Sequence, residues 1–259
     1  MTRRTAAAVA LALSAVALAG CTSTDAPTTG SSSSAVSGSI TVFAAASLKE
    51  AFTTIGDQFE AANPGTSITF SFGPSSGLAT QITEKAPADV FASASQKTMD
   101  TVVDAGLASG SSVFAVNTLA IATPTDPSRP VGSLADLANP AVKVAVCAAD
   151  VPCGTAADKL FAQNNLTVAP VTREVDVKAV LSKVQLGEVD AGIVYVTDVK
   201  AAGSAVVGID IPRDQNVTTN YPIAALSGSS NPATARAFAA YVLGPEAQTV
   251  LADAGFSAP

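Results

Sequence analysis

The sequence contains no histidine and no tryptophan among its 259 residues, and it has only three cysteines and 5% aromatic residues. Without histidine, the chain lacks the usual general base of serine and cysteine hydrolases and a very common metal ligand. Only 14% of the residues are charged, and acidic residues outnumber basic ones by 21 to 14. This balance argues against a nucleic acid as partner, because nucleic-acid binding needs clustered positive charge.

An apolar run at positions 6–19 follows Arg3 and Arg4 and is too short to span a bilayer comfortably. This layout is typical of a secretory signal peptide, which we assign to residues 1–20. The run ends in Leu18-Ala19-Gly20-Cys21, which resembles the lipobox of bacterial lipoproteins. We therefore expect Cys21 to become a lipidated N-terminus at the outer face of the cell membrane. An ordinary secreted protein with a chance cysteine at this place is the alternative.

Residues 21–39 are rich in Ser, Thr, Gly, Ala and Pro and show no apolar periodicity, so we predict a flexible tether. The folded part is predicted to begin near Ile40. The remaining chain is long enough for one large domain or for two lobes of about 100 residues each. Without the signal peptide, 12 basic and 21 acidic residues leave a formal charge of −9.

Strand-like and helix-like patterns alternate along the mature chain, which predicts an α/β fold with largely parallel sheets. The predicted strands are 40–44, 66–72, 89–93, 118–123, 142–146, 190–196, 205–211 and 221–226. Residues 118–123 and 221–226 are expected to cross between two lobes. Lobe I would then comprise residues 40–118 and 220–259, and lobe II residues 119–219, with the two crossings acting as a hinge.

Four stretches bring small, donor-bearing residues to predicted helix starts, at Ser47, Ser75, Cys153 and Val177. Each helix start has backbone N–H groups without intrahelical partners and the positive end of the helix dipole. Only Lys49 and Lys178 add basic side chains there, so we predict a receptor for a small deprotonated oxyanion held by neutral donors. Taken singly, the two serines would be ordinary helix caps, and Val177 would be core packing.

Cys147 and Cys153 are the two cysteines of the predicted folded part. In an extracytoplasmic compartment we expect them to form a disulfide, and closing so short a loop would stabilise the fold by roughly 2 kcal/mol. Metal binding by the pair is the alternative, but the chain offers no histidine and no further thiol nearby to complete a site. We predict no metal site and no cofactor.

Five short segments, in this order along the chain, form a recognisable pattern. They are TVFAAASL at 41–48, FGPSSGL at 72–78, APADVFAS at 86–93, VPCG at 151–154 and GIVY at 192–195. Together they resemble the molybdate-binding proteins of bacterial ABC transporters, which are class II periplasmic binding proteins. The resemblance covers nearly the whole mature chain. It implies a two-lobed α/β fold in which each lobe is a mainly parallel sheet flanked by helices, with two hinge crossings.

The resemblance also implies a ligand set made of neutral donors. In that family two serines bind the oxyanion by hydroxyl and amide, two further residues by their amides and a tyrosine by its hydroxyl; the matching residues here are Ser47, Ser75, Cys153, Val177 and Tyr195. Cys153 replaces a common alanine, and Pro74 replaces a common serine. A backbone amide can serve whatever its side chain, but a disulfide to Cys147 would either pin the Cys153 amide or shift it.

The function implied is that of a monomeric, non-enzymatic solute-binding protein. It would capture molybdate, and tungstate as well, and deliver it to the permease of an ABC transporter. A donor-only site disfavours hydrogen phosphate, whose proton would face another donor. Sulfate is the alternative ligand, because it shares the charge and shape of molybdate and only cavity size separates the two. A serine-dependent hydrolase is the alternative from another class, although no Ser-x-x-Lys motif occurs at Ser47 or Ser75.

Overall fold

The computed structural model describes residues 36–259. The strands are β1 Gly38–Ala45, β2 Thr66–Gly73, β3 Val90–Ala92, β4 Ser112–Thr123, β5 Val144–Cys147, β6 Thr172–Glu174, β7 Ala191–Tyr195, β8 Val207–Asp210 and β9 Thr218–Ala225. The α-helices are α1 Lys49–Ala62, α2 Ser75–Thr83, α3 Gln96–Asp104, α4 Pro152–Gln163, α5 Val177–Gln185, α6 Val196–Ala202, α7 Pro232–Val242 and α8 Pro245–Ala254. Short 3-10 helices cover Ala46–Leu48, Leu134–Ala138 and Gly203–Ala205.

The predicted signal peptide, the predicted lipidation site Cys21 and most of the predicted tether lie outside the described residues. The strand β1 begins at Gly38, within the last two residues assigned to the tether. Within residues 36–259, no helix combines the length and the apolar character that a membrane crossing requires.

The first β–α unit follows directly from its sequence. The strand β1 is apolar and buried from Val42 to Ala45, as expected for a strand covered on both faces. Helix α1 buries Phe52, Ile55 and Phe59, which are spaced so that they share one helix face. It ends at Asn63, whose side-chain amide donates to the Phe59 carbonyl at 2.9 Å. Gly65 then turns the chain with a φ of +93° that disfavours other residues.

Neighbouring strands are hydrogen-bonded in the spatial order β2-β1-β3-β9-β4-β7-β5-β6, and β8 pairs with β4. The α/β prediction is confirmed. The strand β1 pairs in parallel with β2 and β3, and β5 pairs in parallel with β6 and β7. The four ladders that involve β4 or β9 are antiparallel, namely β3–β9, β4–β7, β4–β8 and β4–β9.

The buried apolar side chains form separate clusters that come from different segments of the chain. We call the buried residues within 40–115 and 221–256 the first core and those within 119–217 the second core. The strand β4 contributes to both, since Phe114 belongs to the first core and Leu119 to the second. The strand β9 pairs with β4 from Thr118 back to Ser112.

Three parts of the observed structure were not anticipated. Helix α6 begins at Val196, where the sequence predicts the end of a strand and no helix. The short strand β6 also lacks a counterpart among the predicted strands. The strand β4 begins at Ser112, six residues before the predicted start at Thr118, because its first half pairs with β9.

Candidate functional site

A small cavity of about 20 Å³ lies where the helix starts converge. All five site residues predicted from the sequence line it: Ser47, Ser75, Cys153, Val177 and Tyr195. The rest of its wall is formed by Ala45, Ala46, Gly73, Pro74, Ala94, Val151, Pro152 and Asp176. Seven of these lining residues come from segments that carry the first core and six from segments that carry the second. A larger open groove of about 420 Å³ also reaches Pro152 and is flanked by Lys97 and Lys159.

Ser75 is the first residue of α2 and is almost completely buried. Its hydroxyl oxygen accepts a hydrogen bond from the Ala94 N–H at 3.0 Å. Since the oxygen already acts as an acceptor there, the hydroxyl proton is available to donate to an anion in the cavity. The preceding Pro74 has an extended ψ of 128° and directs the chain into the helix.

Ser47 lies in the 3-10 helix between β1 and α1, with its hydroxyl oxygen 2.9 Å from that of Tyr221. Burial raises the pKa of Tyr221 well above its ordinary value, with the neighbouring Tyr195 adding to the effect. Tyr221 therefore stays protonated and can donate to Ser47. That arrangement leaves the Ser47 proton free to point into the cavity.

Tyr195 ends β7, and its side chain is fully buried. Within residues 36–259 its hydroxyl has no hydrogen-bond partner, which is costly for a buried polar group. Burial, followed by the charge of Asp198, raises the pKa of the Tyr195 phenol above its ordinary value. The hydroxyl therefore keeps its proton at neutral pH and presents a donor at the cavity.

The amides of Val177 and Cys153 occupy the starts of α5 and α4. Val177 is the first residue of α5, after Asp176, whose carboxylate accepts from the Ala179 N–H at 3.0 Å. In α4, Pro152 takes the first helical position and has no N–H, so Cys153 carries the first amide hydrogen of that helix. Both amides belong to the group that lacks an intrahelical acceptor.

The predicted disulfide between Cys147 and Cys153 is present in the structure, with the two Cα atoms 5.7 Å apart. It connects the end of β5 directly to the start of α4. The loop between them is packed closely against the helix, because a methyl group placed on Gly154 would lie 1.8 Å from the Ala148 carbonyl oxygen. The position of the Cys153 amide is therefore set by both the disulfide and this contact.

An ion-pair network that the sequence did not predict lies beside the cavity. The Lys178 ammonium is 2.8 Å from a Glu50 carboxylate oxygen and 3.0 Å from Asp198 Oδ1. The other Asp198 oxygen accepts from the Tyr195 N–H at 3.1 Å. Burial lowers the pKa of Lys178, but the charges of Asp198 and Glu50 outweigh it, so the pKa is raised overall. Asp198 is the third residue of α6, a position where acidic residues commonly cap a helix. This signal could be used only once the start of α6 was known.

The pH dependence of stability should reflect Asp198. Burial raises the pKa of this carboxyl to about 6, even though Lys178 counteracts the shift. Because the folded protein holds the Asp198 proton more tightly than the unfolded chain does, protonation of this carboxyl stabilises the fold. This contribution to the unfolding free energy is complete below the pKa of the unfolded chain and is lost as the pH rises through about 6. We expect Asp198→Asn to remove this contribution, on the order of 2 kcal/mol, from the difference in unfolding free energy between pH 4.5 and pH 7. Denaturant unfolding of both proteins at the two pH values tests this, and an unchanged difference would contradict it.

The described residues contain no group of three or more Asp, Glu or Cys side chains placed to bind a metal ion. The cavity wall supplies hydroxyl and amide donors from Ser47, Ser75, Cys153, Val177 and Tyr195. The ammonium of Lys178, which follows Val177 in sequence, is held by two carboxylates. Such an arrangement can bind an anion by hydrogen bonds from uncharged donors.

Residues 40–257 match the family of bacterial extracellular solute-binding proteins. The chain is 44% identical over 222 residues to the molybdate-binding protein ModA of Mycobacterium tuberculosis, covering 85% of each protein. The periplasmic molybdate-binding protein of Azotobacter vinelandii has a similar structure, with a TM-score of 0.75 and 20% identity, covering 85% of this chain and 99% of that one. The sulfate-binding protein SubI of Mycobacterium tuberculosis is also similar, with a TM-score of 0.76 and 18% identity, covering 85% and 86%.

At these identities the two solved structures establish the fold and not the ligand. The family match spans nearly all of the described residues, and the identity to the mycobacterial relative extends over 85% of the chain. The matched relatives are binding proteins for solutes and not enzymes. This chain therefore belongs to the bacterial extracellular solute-binding protein family.

Proposed function

We propose that this protein captures molybdate outside the cell membrane and holds it with Ser47, Ser75, Cys153, Val177 and Tyr195. The observation that carries the proposal is the convergence of these five residues on one small cavity whose donors are all uncharged. The similarity to a mycobacterial molybdate-binding protein supports the same ligand.

The physical basis is the replacement of hydration. A buried dianion loses strong interactions with water, and only donors aimed at its oxygens can restore them. Three hydroxyls and the amides of helix starts provide such donors, and the helix dipoles add favourable potential. Ser75 and Tyr195 are especially suited, because the Ser75 oxygen already accepts from Ala94 while the Tyr195 hydroxyl has no partner within residues 36–259.

We further propose that residues 40–118 and 220–259 form one lobe and residues 119–219 the other. The first and second cores follow this division, and β4 and β9 are the two strands that pass between the segments. The cavity receives residues from both, so a bound anion would favour the closed arrangement of the lobes. The cavity of about 20 Å³ is only slightly larger than the space that a single water molecule needs. A tetrahedral oxyanion can therefore enter only if the lobes separate.

Ligand delivery and membrane attachment extend the proposed function. We propose that tungstate binds at the same site, that the loaded monomer delivers its ligand to an ABC permease, and that Cys21 carries a lipid anchor after removal of residues 1–20. Mass spectrometry of the mature N-terminus tests the anchor. A mature protein that begins elsewhere and carries no lipid would contradict it.

Thermal unfolding in the presence of different oxyanions tests the ligand assignment. A ligand at a thousand times its dissociation constant stabilises the folded state by about 4 kcal/mol. We expect molybdate and tungstate to raise the melting temperature by about 8–15 °C, since about 1 kcal/mol corresponds to 2–4 °C in a protein of this size. Sulfate at the same concentration should shift it far less, and phosphate should have no effect. A sulfate shift equal to that of molybdate would instead favour the sulfate-binding alternative, which the shared fold leaves open.

Tyr195→Phe separates binding from stability. The hydroxyl is buried and has no hydrogen-bond partner within residues 36–259, so its removal should not lower the unfolding free energy and should raise it by about 1 kcal/mol. The loss of a donor to a charged ligand should reduce molybdate affinity by about 10- to 100-fold. Calorimetric titration and denaturant unfolding provide the two readouts. Unchanged affinity would show that this hydroxyl does not bind the oxyanion.

A further inference from the structure

The network formed by Glu50, Lys178 and Asp198 connects three short stretches of chain, each of which also contains a proposed ligand residue. Glu50 follows Ser47 by three residues, Lys178 follows Val177 directly, and Asp198 follows Tyr195 by three residues. The Lys178 ammonium contacts both carboxylates, at 2.8 and 3.0 Å. A single cation thus joins the segments around the cavity.

The two contacts of Lys178 differ in where they lie. Lys178 and Asp198 both belong to helices of the second core, and the Asp198 carboxylate is fully buried. Glu50 lies on α1, whose buried side chains belong to the first core, and its carboxylate is half exposed. The pair Glu50–Lys178 therefore spans the two segments that line the cavity, whereas Lys178–Asp198 remains within one of them.

These positions determine what happens when the two halves separate. Lys178 keeps its buried partner, because leaving Asp198 without a counter-charge inside the protein would be costly. The contact with Glu50 is the one that breaks. Because the Glu50 carboxylate is half exposed to solvent, breaking its ion pair with Lys178 costs little free energy. A contact of this strength can form and break in every cycle of binding and release.

We propose that Lys178 is a positioning residue for the oxyanion site, and that its ion pair with Glu50 holds the closed arrangement and slows release of the bound anion. This inference rests on the proposed function. Lys178 acts through the backbone and not on the anion itself, because its ammonium is occupied by two carboxylates. Its single positive charge also offsets one of the two negative charges that Glu50 and Asp198 place near the site.

Release of molybdate from Glu50→Gln tests the proposal. The protein is loaded with radiolabelled molybdate and chased with excess unlabelled molybdate, at about 20 mM and about 500 mM salt. We expect release to be about two- to five-fold faster than in the original protein at low salt, with the difference shrinking at high salt because ions screen the exposed pair. The association rate should change by less than two-fold.

Asp57→Asn is the matched control. Asp57 is exposed on the same helix, and its substitution causes the same change of net charge without touching Lys178. It should leave the release rate unchanged. Combining Glu50→Gln with Lys178→Gln should give release no faster than Lys178→Gln alone, because both substitutions break the same pair.

The result that overturns the inference alone is a wild-type protein that binds molybdate while Glu50→Gln releases it at the original rate. Equal acceleration in Asp57→Asn would also overturn it, because the effect would then arise from net charge. A wild-type protein that binds no molybdate would overturn the proposed function and the inference together, so the two failures are distinguishable.

Discussion

Val177→Pro should weaken molybdate binding by about 30-fold or more while leaving the fold intact. Proline at the first position of a helix removes only an N–H that no intrahelical acceptor uses. The preceding Asp176 has an extended backbone, with φ −156° and ψ 178°, which a following proline tolerates. The substitution therefore deletes the proposed amide donor selectively. The loss follows from the about 1.5–3 kcal/mol that a hydrogen bond to a charged group contributes.

Val177→Ala is the control for this prediction, because it keeps the amide and removes most of the buried side chain. We expect it to lower the unfolding free energy by about 1–2 kcal/mol, with molybdate affinity within about three-fold of the original. Calorimetric titration suits both variants, since the chain has no tryptophan to report binding. If Val177→Pro and Val177→Ala bind molybdate equally well, the Val177 amide is not a ligand.

Gly154→Ala should have the largest effect on the fold near the site. The added methyl group would lie 1.8 Å from the Ala148 carbonyl oxygen, so α4 or the loop before it must move. The disulfide between Cys147 and Cys153 restrains that movement to a short segment. We expect a loss of about 3 kcal/mol or more in unfolding free energy and a drop in melting temperature of roughly 6–12 °C. Displacement of the Cys153 amide should also reduce molybdate affinity by at least about ten-fold.

Gly228→Ala provides the comparison for a glycine without a close neighbour. Apart from its chain neighbours, no described residue has an atom within 4 Å of a methyl group placed there, so melting temperature and affinity should stay unchanged. Differential scanning calorimetry and titration with molybdate measure both variants. A melting temperature for Gly154→Ala within 2 °C of the original would show that the loop before α4 adapts freely, contrary to the close packing described above.

The sequence was sufficient to predict the strand and the helices whose ends lie at the site. The apolar segment at 40–44 is a buried strand, and the spacing of Phe52, Ile55 and Phe59 describes the inner face of α1. The helix starts at Ser75 and Val177 were predicted to the residue or within one residue. Capping preference and apolar periodicity act within a few residues, and they are therefore readable without knowledge of the fold.

Helix α6 shows where this reading fails. The apolar residues around Val194 and Val196 continue the pattern of β7, so the sequence does not mark the boundary between strand and helix. In the structure, Asp198 accepts from the Tyr195 N–H and starts the helix there. Asp198 is fully buried and paired with Lys178, and that environment comes from the packing of α5 against α6.

By itself, the sequence predicted the α/β class and the disulfide pair, because both depend on residue type and short spacing, while the set of donor residues came from its resemblance to a known family. Only the tertiary structure decided that these donors line one cavity, that β4 and β9 run antiparallel through the sheet, and that Lys178 meets Glu50 across 128 positions of sequence. Such contacts depend on which surfaces the folded chain brings together, and local preferences carry no information about that.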